Sequence, residues 1–594
     1  MDFFNVLTML GGLALFLYGM HTMGEGLSKV SGGRLEKILE KLTSNPLKAV
    51  TLGAIVTAVI QSSSATTVMV VGFVNSGIMK LSQAIGIIMG ANIGTTITSW
   101  LLSLSGIESS NFFVKLLKPS SFAPVLALIG VALLMFSKKE KKKDVGMILV
   151  GFGVLMVGMD TMSGAVKPLA DVPEFTSLFM MFSNPILGMI VGAVLTAVIQ
   201  SSSASVGILQ ALCATGAVHY SAALPIIMGQ NIGTCVTAMI SSVGANKNAR
   251  RAALVHLYFN LIGTIIFMAV FYTINAFMPF SFLETTAGAA GIAVIHTVFN
   301  VVATLLLLPF TKLLEKLAYL TIREDESDKE NAMEVDDFKV LDVRFLDSPS
   351  FAIGQCKSLT IKMAELSKKA LFTAMELLNE YDEEKVAKVE KYEARVDRYE
   401  DEIGSYLLKL STKNILEKDS RTLSMLLHLI GDFERISDHA VNIMEAAKEM
   451  HEKDLHFSEK AVEELKVFTR AVKDIVNISL QVFEDEDEEL AKAVEPLEEV
   501  IDRLNEKLKK RHVERLREGI CTIELGFIFS DIKGNYERVA DHCSNVALCL
   551  IQFNSEEEFD AHEYIDELKR EDNKEFREKY SSYKAQYKLP SSFH

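Results

Sequence analysis

At 594 residues with a formal net charge of −15, the chain is long enough for several domains, and its charge is sharply segregated. Long apolar runs fill the part before about residue 320 and none survives after Thr321, so the acidity describes a soluble second half and excludes a nucleic-acid ligand. The six cysteines show no C-x-x-C and no small-domain spacing, which points to reduced thiols rather than a disulfide scaffold.

Met1 to Met20 lacks a basic n-region and an evident small-residue cleavage site, and is read as a retained first membrane helix. Phe3 to Met20, Leu81 to Ser103 and, barely, Phe122 to Phe136 can cross a bilayer. Between them, Leu47 to Ile60 and Ala65 to Ile78 are apolar but short of the roughly 30 Å hydrocarbon core. They flank Gln61-Ser62-Ser63-Ser64-Ala65, and the three parts together predict a re-entrant hairpin with a polar tip at membrane depth.

That pentapeptide recurs as Gln200-Ser201-Ser202-Ser203-Ala204, an offset of 139 (200 − 61). The same offset pairs Gly19-Met20 with Gly158-Met159, Asn45-Pro46 with Asn184-Pro185, Thr57 to Ile60 with Thr196 to Ile199, and Asn92 with Asn231, without a gap. The membrane half is therefore two copies of one unit, about 1–138 and 145–275, followed by an extra helix at 291–310. Three crossings in the first unit invert the second. Basic residues agree with this topology. Lys138 to Lys143 belong in the cytoplasm with Arg34, Lys37, Lys41, Lys247, Arg250 and Arg251, while Asp171, Glu174 and Glu284 fall outside. The N-terminus is then external, in the cytoplasmic membrane, and the chain leaves the bilayer on the cytosolic side.

Serine is a favoured helix N-cap, and a helix restarting at Ala65 would direct its amides and positive end at the tip. Such a tip suits an anion, and hydroxyls with freed carbonyls suit a small cation. Gly90 to Thr96 and Gly229 to Cys235 place an amide, two glycines and a hydroxyl inside spanning segments, and are expected to break those helices near the midplane. His256 and His296 are intramembrane and read as helix-packing or gating hydrogen bonds, with Asn260 and Asn300 as partners.

A charged linker at 321–340 follows. Residues 341–555 then read as long amphipathic helices, with apolar residues at three- and four-residue intervals, and 556–594 as a charged tail. This half is also doubled, because Tyr536 to His542 repeats Phe433 to His439. Carboxylates four residues apart lie on one helix face and repel, and a bound cation would turn the repulsion into coordination. His439 and His542 either join that set or cap the bundle face.

The doubled Q-S-S-S-A, each followed by N-I-G-T, resembles the type II sodium-dependent phosphate cotransporters over nearly all of residues 1–315. The resemblance implies that Gln61, Ser62, Ser63, Ser64, Thr66, Gln200, Ser201, Ser202 and Ser203 bind phosphate and sodium, with Asn92, Thr95, Asn231 and Thr234 beside them. The second copy departs after the alanine, with Ser205-Val206 in place of Thr66-Thr67. The soluble half resembles the PhoU family of phosphate-signalling proteins. That likeness implies paired three-helix bundles with E-x-x-x-D motifs binding a divalent or transition metal at Glu393 and Asp397, Glu434 and Asp438, Glu498 and Asp502, and Glu537 and Asp541.

The resulting expectation is an all-α protein: a polytopic domain of two inverted repeats with re-entrant hairpins, and a cytosolic PhoU-like pair of three-helix bundles. It is a sodium-coupled carrier of inorganic phosphate working by alternating access, not an enzyme, with the cytosolic half regulating or reporting transport to a signalling partner, and with homo-oligomers compatible. The competing readings are a phosphate sensor without net flux and a sodium-coupled carboxylate carrier.

Overall fold

The computed structural model describes residues 3–31, 45–104, 119–137, 139–323, 337–413, 415–555, 561–569 and 573–590. Arg34, Lys37, Lys41, Lys138 and most of the charged linker lie outside them. The described chain is helical throughout and separates into two compact units, Met1–Phe351 and Ala352–His594.

The first unit contains α1 (Phe3–Ser31), α2 (Pro46–Ile60), α3 (Ser63–Asn75), α4 (Leu81–Ser103), α5 (Pro119–Phe136), α6 (Glu140–Val166), α7 (Pro173–Met181), α8 (Pro185–Ile199), α9 (Ser202–Cys213), α10 (Tyr220–Gly233), α11 (Cys235–Ser241), α12 (Lys247–Phe277), α13 (Ala289–Leu307) and α14 (Thr311–Thr321). Six described segments are long and apolar enough to cross a membrane, and α2, α3, α5, α8 and α9 belong to a shorter apolar group. Large apolar side chains on the long helices, among them Leu10, Val157, Ile265 and Leu305, face outward, which is the surface a bilayer would cover.

Glycines set how closely these helices approach. The equivalent helices α1 and α6 run antiparallel. A Cβ added to Gly12 would meet the backbone of Met162 and Gly158, one on Gly19 that of Leu155 and Gly151, and one on Gly26 that of Asp144. Gly158 is the counterpart of Gly19 and Gly151 that of Gly12, at the offset of 139. The seam thus matches each glycine with the counterpart of the other. Helix α5 runs antiparallel to α6 in the same manner, with Gly130 against Gly146 and Gly153 against Ala127.

The two expected helix breaks turn out differently. Helix α4 continues through Gly90, Asn92 and Thr96 without interruption, and in the second copy only Thr234 separates α10 from α11, with near-helical dihedrals. The glycines serve close packing instead. A Cβ on Gly90 would lie 2.0 Å from the carbonyl oxygen of Val50 on α2, and one on Gly229 1.9 Å from that of Met189 on α8. Only a bare backbone lets two helices meet at that distance.

The second unit holds most of α15 (Pro349–Leu377), then α16 (Glu383–Ser411), α17 (Glu417–Glu452), α18 (Glu459–Asp485), the short α19 (Glu488–Ala491), α20 (Val494–Arg517), α21 (Ile523–Asn554), α22 (Ala561–Leu568) and α23 (Lys574–Gln586). Each half thus has three long helices, with aliphatic and aromatic stripes buried, for example Leu426, Phe433, Ile436 and Ile443 on α17 and Phe468, Val472, Ile475 and Phe483 on α18. The described part of the charged tail packs on the second half, where Tyr587 donates to Asp474 and Arg511 to the Pro590 carbonyl. All six cysteines are unpaired thiols.

Candidate functional site

The two hairpins are built alike, residue by residue. Asn45 caps α2 by accepting from Leu47 N at 2.9 Å and Lys48 N at 3.4 Å, with Pro46 opening the helix, and Asn184 caps α8 in the same way. Each helix has 15 residues, about 22 Å at a rise of about 1.5 Å per residue. It ends on a glutamine in the left-handed region, Gln61 at φ 59° and Gln200 at φ 58°. For a side chain other than glycine or asparagine that conformation costs about 1–2 kcal/mol.

The chain then extends through Ser62 at φ −144° and Ser201 at φ −141°, whose Oγ atoms accept from Ala65 N at 3.1 Å and Ala204 N at 3.2 Å. Ser62 and Ser201 are therefore the N-caps, and the helices restart at Ser63 and Ser202, two residues before the expected Ala65. The first-turn amides of α3 and α9 surround the tips, with the positive ends of both helices. A capping hydroxyl uses an oxygen lone pair for the amide and keeps its own proton to donate.

Between the arms, Thr57 donates to Thr66 across 3.1 Å and Thr196 to Ser205 across 2.8 Å, so the sequence departure at 205 preserves the hydroxyl bridge. Thr66 Oγ1 also donates to the Ser62 carbonyl and Thr67 Oγ1 to that of Ser63. The tips differ in their surroundings. Gln61 is buried, its amide donating to Ala58 O and its carbonyl oxygen accepting from Thr98 Oγ1 at 2.9 Å, whereas Gln200 is exposed. Ser63, Ser202 and Ser203 are buried, and Ser64 is half-buried.

Each restarted helix packs on the opposite copy, α3 against α11 and α9 against α4. Asn92 on α4 donates to Asn260 of α12 at 2.7 Å, which in turn donates to the sulfur of Cys235. Asn231 instead donates to the Ile227 carbonyl, and Thr95 and Thr234 donate to the carbonyls of Ala91 and Gln230. These four lie buried behind the hairpins. Gln230, which sequence reasoning passed over, donates to the Ser205 carbonyl at 3.0 Å and ties α10 to α9. Its signal was present, since Gln230 stands where the first copy has Ala91. Asn260 and Asn300 donate to the backbone carbonyls of His256 and His296 rather than to their rings, and the His296 ring meets Ser99 Oγ at 2.7 Å.

In the second unit the E-x-x-x-D motifs assemble into two acidic clusters, Glu393–Asp397–Asp438 and Glu498–Asp502–Asp541, each with oxygens within 4.8 Å of one another. Glu434 and Glu537 stand outside these trios. Glu434 pairs with Arg435 at 3.5 Å and Glu537 accepts from Asn505 at 2.6 Å. Burial, followed by the charges of Glu495 and Asp502, pushes the Glu498 carboxyl well above the usual range, and burial and Glu537 push Asp502 up as well. Burial and Asp397 also raise Glu393.

Each cluster has a cation beside it: at the first, the Arg435 guanidinium lies 3.4 Å from Asp438, and at the second stands Lys569. Lys569 Nζ lies 3.2 Å from Glu495 and Glu499 and 3.8 Å from Glu498. His439 and His542 join neither trio. They face each other at a ring separation of 5.7 Å where α17 meets α21, His439 bonding Asn535 and His542 bonding Asp432, each at 2.8 Å. Asn535 is the counterpart of Asp432 in the repeat of 103 (535 − 432; 542 − 439), so this too is a reciprocal contact.

Comparison with known proteins follows the same division. Residues 15–164 and 157–288 match the Na+/Pi-cotransporter family, and 360–447 and 466–550 match the PhoU domain. The chain is 25% identical over 563 residues to the putative inorganic phosphate export protein YjbB of Escherichia coli K12, covering 93% of this chain and 99% of that one. It is 30% identical over 191 residues to the phosphate-specific transport system accessory protein PhoU homolog 1 of Thermotoga maritima, covering 32% of this chain and 82% of the relative. It is 35% identical over 132 residues to the human sodium-dependent phosphate transport protein 2B, covering 21% and 19%.

Proposed function

We propose, from the premise that this chain belongs to the Na+/Pi-cotransporter family and carries a PhoU region, that it moves inorganic phosphate across the cytoplasmic membrane coupled to sodium. The observation that carries this reading is the duplicated tip, Gln61 to Ser64 and Gln200 to Ser203, each with a left-handed glutamine, a capping serine and a fresh helix N-terminus. Phosphate oxygens accept from the first-turn amides and serine hydroxyls, the helix ends favour the anion, and sodium takes the hydroxyl and carbonyl oxygens. Lodged between helices that each rest on the opposite copy, the two tips form one site that alternates its exposure as the copies exchange conformations.

The antiparallel glycine seam of equivalent helices supports inverted repeats. Helix α5, with 18 residues, is about 27 Å long and supplies the third crossing. In this topology the N-terminus is external and the PhoU region cytosolic. The name of the Escherichia relative points to export and that of the human relative to sodium-driven transport, and the same carrier serves either direction as the gradients dictate.

The full chain, reconstituted in proteoliposomes, is expected to accumulate labelled phosphate against its gradient when sodium is higher outside, and to stop when a sodium ionophore is added. Binding without accumulation would make it a sensor, and uptake of a dicarboxylate in preference to phosphate would make it a carboxylate carrier.

The cytosolic region regulates transport in this reading, and its acidic trios bind divalent or transition cations. Three carboxylates from two helices supply the hard oxygen donors such ions take. The buried Glu498 oxygen, which has no hydrogen-bond partner among the described residues, fits an ion at the second trio. Lys569 competes there with its own charge. Lys569→Ala is therefore expected to tighten manganese binding at the second trio, measured by calorimetry on the detergent-purified chain. The gain should be roughly fivefold, since a pair one-third exposed is worth at most about 1 kcal/mol. Unchanged affinity would leave Lys569 a structural strut.

A further inference from the structure

Residues 337–351 precede the second unit in the chain and nevertheless pack with the first. They form two 3-10 turns, Asp337–Val340 and Val343–Asp347, and the opening of α15. Their seat is the C-terminal end of α3, the hairpin arm whose N-terminus carries Ser62 and Ser63. Phe345 is fully buried, with its ring 5.2 Å from that of Phe73 and 4.9 Å from that of Phe351, while Phe351 stands 5.1 Å from Phe73. The aromatic cluster closes over Gly72, where a Cβ would come within 2.8 Å of the Phe345 ring. Here glycine makes room for a side chain from far along the sequence.

Polar bonds fix the same seat. Asn75, the last residue of α3, donates to the Asp342 carboxylate at 2.7 Å. Asp342 caps its own turn by accepting from Arg344 N and pairs with the Arg344 guanidinium at 2.6 Å, and Arg344 Nε donates to the Ser241 carbonyl at the end of α11. The other faces of Asn75 are held by Asn246, whose backbone N–H and side-chain amide donate to its Oδ1 and its carbonyl at 2.8 and 2.7 Å. One short segment therefore binds the end of hairpin arm α3, the end of α11 from the opposite copy, and the cap of α12 through a single asparagine. Helix α3 cannot slide along α11 and α12 without withdrawing Phe345 or breaking these bonds.

We propose that residues 341–351 are an autoinhibitory latch on the first hairpin. Seated, the latch joins α3 to α11 and holds the two copies in one arrangement; withdrawn, it frees α3 to move. Its handle is α15, which begins at Pro349 inside the first unit and continues as the first helix of the second. A change in that unit that displaces α15 reaches the transport site through the latch, with no signal needed through the bilayer. Among the described residues the second hairpin has no such strap: its arm α9 is held by Gln210, which donates to the carbonyls of Ser99 and Ala289. Control is thus exerted on one hairpin of the pair.

The inference rests on the transport reading, so the test carries a readout that does not depend on transport. Phe345→Ala removes the plug and Asp342→Ala removes the carboxylate. Either change, in the full chain, should speed amide hydrogen exchange at the C-terminal end of α3. Each should also raise initial sodium-driven phosphate uptake by about fivefold or more, the lower range of ordinary allosteric couplings. Gly72→Ala, which displaces Phe345 while leaving its side chain intact, should act in the same direction. Faster exchange with unchanged or reduced uptake would overturn the latch, as would unchanged exchange in all three variants. Absence of uptake by the unaltered protein would instead overturn the transport reading.

Discussion

Alanine at both capping serines, Ser62→Ala together with Ser201→Ala, is expected to lower sodium-driven phosphate uptake about a hundredfold while leaving a folded protein. Each hydroxyl accepts one first-turn amide, at 3.1 and 3.2 Å, and losing a serine cap costs about 1 kcal/mol. Each also loses a donor to the anion, about 0.5–1.5 kcal/mol as a net hydrogen bond. At the low end of these ranges the two sites together lose about 3 kcal/mol, hence about two decades. The single variants should each fall roughly tenfold, since in the proposed site each tip carries about half of that loss. The check is initial uptake in proteoliposomes beside a thermal melt of the same preparation. Undiminished uptake by the double variant would remove the hairpin tips from the mechanism.

The second large effect is structural. Gly90→Ala and Gly229→Ala each place a methyl group about 2 Å from a carbonyl oxygen of the facing hairpin helix. A backbone oxygen cannot rotate away as a side chain does, so α2 must separate from α4, or α8 from α10, along the whole seam. Overpacking costs typically about 1–3 kcal/mol, and more where nothing yields. The expected outcome is a clear loss of monodisperse protein on size exclusion and a markedly lower melting temperature. Gly11→Ala is the control: Gly11 is exposed and nothing lies within 4 Å of its added Cβ, so it should be neutral or slightly stabilising through helix propensity. If the Gly90 variant melts with the Gly11 variant, the close seam is wrong.

These two predictions mark what could be read from residues alone and what could not. The repeat, the short arms, the serine caps and the acidic stripes follow from local rules of spacing, capping chemistry and helix length, and are visible without coordinates. The glycines at 90, 94, 229 and 233 were legible as special but not in their role. A bare position inside an apolar helix suits a break and a close approach equally, and only the neighbouring helix decides between them. Gln61 and Gln200 in the left-handed region were beyond reach, because propensity disfavours glutamine there, and the Thr98 bond that holds Gln61 comes from another helix while Gln200 is exposed. The facing histidines were hidden for the same reason: His439 and His542 find their partners across a bundle interface, 96 and 110 residues away. Where a side chain's role depends on a partner that distant, its own neighbourhood in the sequence carries no trace of it.

The seam between α1 and α6 has one more implication. Gly12 meets the counterpart of Gly19, and Gly19 meets the counterpart of Gly12, so a single unit bears both halves of the surface that joins it to the other. Such a surface is complementary to itself under a half-turn. At these two glycines the pairing would be the same between two separate copies of one unit set in opposite senses, so the link between the units keeps each copy beside its twin.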